Sequence, residues 1–199
     1  IGKVCSTILE LSESYAGARE AVSYRVIYGA IRAINIMEIA PQEMKESGIT
    51  GDEELAHLFK VIRLNEKEDI IQAVNRYCSH ISVVEKSLQH HYMDVMELVS
   101  SLYRFAMNNE ILLEDFSGDM GKMYTGLLEM EPEALKKWLV DTSLSFREQL
   151  ITARNKTTRS LVERAREYVC NHYEDDELSL DSICEELGVS NSYFSTVFK

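Results

Sequence analysis

Positive charge is scarce in this chain. Its 199 residues hold 21 Lys and Arg against 33 Asp and Glu, a formal net charge of -12, whereas proteins that live on phosphate neutralisation carry a basic footprint. Long apolar runs are missing too. No stretch approaches the roughly 18 apolar residues that a spanning helix needs, and no charged-then-apolar leader opens the chain, so no membrane partner is expected. The four cysteines, Cys5, Cys78, Cys170 and Cys184, stand far apart within apolar helical patterns. That spacing fits neither a disulfide framework nor a metal site, and buried free thiols in a reducing cytoplasm are expected. Catalytic signatures are absent as well: there is no Gly-x-Ser-x-Gly elbow, no His-Glu-x-x-His pair and no phosphate loop. His90 and His91 are adjacent, so on a helix they point about 100° apart and cannot serve one metal. The expectation is no enzyme, no cofactor and no metal.

Helical periodicity is plentiful. Leu55, Leu58, Phe59 and Ile62 form one apolar stripe, and Ile70, Ile71, Val74, Tyr77, Cys78 and Ile81 form a second. A third, longer stripe runs Leu88, Tyr92, Val95, Val99, Leu102, Ala106 in steps of four and three, the seam of a bundle helix or coiled coil. Met93, Met96, Leu98, Tyr103 and Phe105 add apolar mass on its other faces. This helix is therefore expected to be buried on more than one side, either within the chain or across a homodimer interface. Pro132 suits a first helical turn and opens a fourth stripe of Leu135, Trp138, Leu139, Phe146 and Leu150. Gly51-Asp-Glu-Glu54 looks like a fragment of a cyclase signature, but it runs straight into the Leu55 stripe. With Thr50 and Glu53 at capping-box spacing, it reads as a helix start. Asn155-Lys-Thr-Thr-Arg159 is polar between two apolar-periodic segments, as a hinge or as the exposed turn of a continuous helix; the hinge is the favoured reading.

The sharpest pattern closes the chain. Leu161 to Tyr173 forms an amphipathic lead-in, followed by Leu178-Ser-Leu-Asp-Ser-Ile-Cys-Glu-Glu-Leu-Gly-Val-Ser-Asn-Ser-Tyr-Phe-Ser-Thr-Val-Phe-Lys199. Two short helices meet here at a glycine turn, the one-dimensional form of a helix-turn-helix. Ser179 is placed to cap the first helix, with Ile183 and Leu187 on one face, small Cys184 at the crossing, Gly188 at its end and Val189 in the angle. In the second helix, which Ser190 starts, Phe194, Val197 and Phe198 are expected inward. Asn191, Ser192, Ser195, Thr196 and Lys199 face out.

Tyr168, Leu178, Ser179, Leu180, Cys184, Leu187, Gly188, Ser190, Tyr193, Phe194, Ser195, Phe198 and Lys199 resemble, position by position, the first half of the DNA-binding domain of AraC/XylS-family bacterial transcription regulators. Cys184 departs mildly, since alanine is usual there. The resemblance implies a DNA-binding set of Asn191, Ser192, Tyr193, Ser195, Thr196 and Lys199, with Tyr193 or Phe194 anchoring the helix, and promoter DNA as the partner. It also implies a second helix-turn-helix unit, and on that reading the chain is an excised piece of a longer regulator. The acidic residues from Glu163 to Glu186 are expected to sit away from the reading surface.

The run from Ser14 to Gly29 resembles the close of a degenerate cyclase-like domain found in YesN-type response regulators, where the helix is followed by a strand. Ile31 to Ile39 would supply that strand before Pro41 stops it. The expected fold class is mostly α: a helical bundle with a small N-terminal α/β element and a C-terminal helix-turn-helix unit. The expected domains are a remnant of the cyclase-like domain at 1–47, a helical linker domain at 48–157 and half a DNA-binding domain at 158–199. What the resemblance implies is a sequence-specific transcription regulator of the two-component type, its helical middle relaying a signal from a receiver domain outside this chain that a sensor histidine kinase would phosphorylate. The alternative is a ligand-binding or protein-interaction helical module with no DNA binding of its own.

Overall fold

The structure is a computed structural model, and it describes residues 1–30, 32–39, 51–81, 87–112, 120–175 and 177–198. It is mostly helical, with no strand among the described residues. Two compact units divide the chain, Ile1–Arg147 and Glu148–Lys199.

The first unit opens on an irregular segment and two helices, α1 (Leu11–Ser23) and α2 (Arg25–Tyr28). Gly2 lies so close to α1 that a Cβ there would collide with the Ser14 carbonyl. Ser14 in turn donates its hydroxyl to the Lys3 carbonyl at 2.6 Å. The strand expected from residue 31 to 39 is not formed over its described part, 32–39: residues 36–38 make a 3-10 turn instead. The reason is local. Ile1 exchanges backbone hydrogen bonds with Ile34 and Ile36, but Asn35 turns its side chain to accept from the Met37 N–H at 3.2 Å and starts the turn. Extended pairing ends there.

The core of this unit comes from α3 (Gly51–Leu64), α4 (Lys67–Ile81), α5 (Leu88–Asn108), α6 (Met120–Leu128) and the first part of α7 (Pro132–His172). The expected stripes face inward: Leu58, Ile62, Ile70, Val74, Leu102 and Leu139 are fully or almost fully buried, each worth about 1.5–3 kcal/mol of transfer free energy. Phe105 of α5 stacks between Phe59 of α3, with centroids 4.7 Å apart, and Phe146 of α7 at 5.9 Å. Two stripe residues are corrections. Ile71 and Tyr92 are exposed, each lying at the edge of its helix's buried arc.

Helix α3 begins at Gly51, as the helix-start reading of Gly51 to Glu54 expects; Thr50, its proposed cap partner, lies outside the described residues. Glu54 is buried and serves structure: its carboxylate holds Arg76 of α4 at 2.7 Å and lies 3.5 Å from His80. Helix α5 starts on a Ser87 cap, whose hydroxyl accepts from the His90 N–H. It ends with Glu110 in the left-handed region, φ 55°, and Ile111 N–H reaching back to the Ala106 carbonyl at 3.0 Å. This is a glycine-type cap carried by a glutamate.

Residues 155–159 are helical, part of the uninterrupted α7, so the favoured hinge reading is corrected to the continuous helix. The polar composition that suggested a hinge belongs to a solvent-covered helix. Thr152 and Thr157 donate their hydroxyls to the Glu148 and Ala153 carbonyls one turn back, and Arg159 pairs with Glu163 at 3.0 Å. No glycine or proline interrupts it.

Candidate nucleic-acid interface

The second unit is built on the C-terminal part of α7, followed by α8 (Leu180–Leu187) and α9 (Asn191–Val197). Helix α7 closes with His172 stacked on Tyr168, and His172 Nδ1 lies 2.9 Å from the Tyr168 carbonyl. Helix α8 is capped reciprocally at its start. The Ser182 N–H donates to the Ser179 hydroxyl at 3.1 Å, and the Ser179 N–H donates to the Ser182 hydroxyl at 3.0 Å, so two otherwise unpaired amides are satisfied by one pair of serines. The helix ends at Gly188, φ 65° and ψ 36°, a conformation that a side chain would strain. The Gly188 N–H bonds to the Glu185 carbonyl and the Val189 N–H to the Cys184 carbonyl. This closed turn sets the direction in which α9 leaves. Ser190 then caps α9, accepting from the Tyr193 N–H at 3.2 Å.

A small apolar core fixes the three helices. Leu161 and Ala165 of α7 and Leu187 of α8 are buried together, with Ile183, Val189, Phe194 and Val197 packed against them. Cys184 of α8 is buried as well. Phe194 is the anchor, whereas Tyr193 is 47% exposed. Phe198, expected inward, is a correction. It is 45% exposed and stacks on Phe194 at 4.2 Å, because it lies just past the last helical residue and no longer follows the helix face.

Asn191, Ser192, Tyr193, Ser195 and Thr196 all lie exposed on α9; Lys199 is outside the described residues. Thr196 donates its hydroxyl to the Ser192 carbonyl at 2.9 Å, which leaves its lone pairs and methyl group outward. The carboxylates are not all distant from this face. Asp181 of α8 accepts a 2.6 Å hydrogen bond from Asn191 Nδ2, so one acidic residue belongs to the surface from which it was expected to be excluded. Sequence reasoning missed this pair because its members are ten residues apart and meet only once the turn at Gly188 is formed.

Elsewhere, chemistry finds little to work with. Among the described residues no group of three or more His, Cys, Asp or Glu side chains is arranged to hold a metal. No described helix is long and apolar enough to cross a membrane. The four cysteines are free, but only Cys184 is buried, while Cys5 and Cys78 are half-buried and Cys170 is exposed. Burial pushes the Cys78 thiol up to about 11, which keeps it protonated and unreactive at neutral pH. A cavity of about 30 Å³ lies beside Val26, Ile27, Cys78 and His91, room for a single water. No family model matches the chain, and no curated protein or solved structure matches it either.

Proposed function

We propose that the segment from residue 158 onward is the first helix-turn-helix unit of an AraC/XylS-type DNA-binding domain, and that the chain is part of a transcription regulator of the response-regulator kind. The observation that carries this reading is the pairing of α8 and α9. A reciprocally capped helix, a left-handed glycine turn and a second capped helix are pinned by Val189 and Phe194 onto Leu161 and Ala165. The exposed residues of α9 are then amides and hydroxyls, the groups that read base edges. In this reading α9 enters the major groove, Asn191, Ser192, Ser195 and Thr196 face bases, Lys199 and Tyr193 face the backbone, and Phe194 holds the helix to its partners. The helical middle relays an upstream signal to the unit that contacts promoter DNA.

The net charge of -12 opposes approach to a polyanion, so the reading requires basic surface from the second unit that the resemblance implies. The test is duplex binding by the chain extended through that second unit, titrated with salt. Sequence-selective binding with a steep salt dependence supports the reading. Sequence-independent binding, or none at low salt, removes it.

A further inference from the structure

We propose that the outward face of α5 is a homodimer interface, on which a second copy of this chain packs antiparallel about a twofold axis passing near Ser100. The core side of α5 is filled by Val95, Leu98, Val99, Leu102, Phe105 and Ala106. On the opposite side Met93, Met96 and Met107 are 65%, 54% and 58% exposed, and Tyr103 is 37% exposed. With Ser100 these residues step by three, four, three and four, a second coiled-coil seam distinct from the buried one. Scattered apolar residues are normal on a surface, but three methionines and a tyrosine aligned on one helix edge make an adaptable contact surface.

Charge identifies the occupant. Acid flanks the N-terminal half of the seam: Glu97 shares a side-chain hydrogen bond with Asp52 of α3 and feels Asp94, which hold its carboxyl above the usual range against the opposing pull of Arg104 in the same chain. The C-terminal half is basic. Arg104 flanks the seam there and hydrogen-bonds Ser101 at 3.1 Å. In a parallel copy Glu97 and Arg104, seven residues apart on one edge of the seam, would each face the other edge of the second copy and find no opposite charge there. An antiparallel copy sets Glu97 against Arg104 of the second copy and Met93 against Met107, because both pairs lie symmetrically about residues 100 and 101. Small Ser100 and Ser101 stand where the two helices cross. One surface thus complements itself under a twofold operation, the requirement of an isologous dimer.

Sedimentation of the 199-residue chain over the micromolar range is expected to show a concentration-dependent monomer–dimer equilibrium. Met96→Lys is expected to weaken association by about tenfold or more, whereas Met37→Lys, on another exposed surface, leaves it unchanged. Glu97→Arg and Arg104→Glu should each weaken it, and the double variant should restore it. In a Cys170→Ser background, Ser100→Cys should cross-link to itself under mild oxidation and Gln89→Cys should not. A chain monomeric throughout overturns the proposal, as do self-cross-linking through Gln89→Cys or single charge reversals without effect. If Met96→Lys fails to fold, the charge-reversal pair decides.

Discussion

Asn191 at the start of α9 donates its side-chain amide to the Asp181 carboxylate at the start of α8, 2.6 Å away. A carboxylate only accepts, so the contact fixes the amide orientation: one N–H is spent on Asp181, while the other and the carbonyl oxygen face outward. That pair of groups suits a bidentate contact to adenine. Asp181→Ala is expected to lower the stability of the chain by about 0.5–1 kcal/mol in thermal melts. By removing a negative charge beside the proposed reading face it should also raise affinity for DNA in general, while freeing the Asn191 amide should loosen the preference at the base Asn191 reads.

Ser143 is completely buried in α7, and its hydroxyl has no hydrogen-bond partner among the described residues. Burying a hydroxyl unpaired costs about 1–3 kcal/mol, and alanine fills nearly the same space. Ser143→Ala should therefore stabilise the chain by about 1 kcal/mol in urea denaturation; a loss of stability would mean that the hydroxyl is satisfied.

Glu110 occupies a left-handed position at the end of α5 that favours glycine. Glu110→Gly is expected to raise stability by about 0.5–1 kcal/mol, relief of side-chain strain outweighing the added freedom of the unfolded chain. The midpoint of chemical denaturation checks it.

Glu97 is held above its ordinary range by its hydrogen bond to Asp52, by desolvation and by the charges of Asp52 and Asp94. A carboxyl raised on folding binds its proton more tightly in the folded state. Its stabilising contribution is present below the ordinary value of 4.5 and is lost as pH rises through the raised one. Glu97→Gln should flatten that limb of the stability–pH curve, measured at concentrations low enough to keep the chain monomeric. An unchanged slope would place Glu97 outside the Asp52 contact.

The helices of the core were legible because each buries one face, and a residue such as Leu58 or Val74 repeats at helical spacing whatever it packs against. The caps were legible for the same local reason: Ser179, Gly188 and Ser190 act on backbone groups within a few residues. What failed depended on partners. The segment that closes at Ile39 has the isoleucine-rich composition of a strand, yet strand formation depends on a neighbour, and Asn35 supplied a turn before one could pair. Thr157 read as loop chemistry until its hydroxyl found the Ala153 carbonyl. Periodicity marked α5 as apolar on two sides, but whether Met93 and Met96 meet the chain or solvent is a tertiary fact. The Asp181 contact likewise exists only in three dimensions.

The most direct measurement is a salt-titrated affinity series on a duplex selected from random sequence, using the chain extended through the second helix-turn-helix unit and its Asn191→Ala, Thr196→Ala and Lys199→Ala variants. With α9 as the reading helix, the first two variants lose about 1–3 kcal/mol of discrimination at a single base position each. Lys199→Ala instead weakens all sequences alike and flattens the salt slope by about one ion. If all three variants keep the parent's affinity, preference and salt slope, α9 does not read DNA.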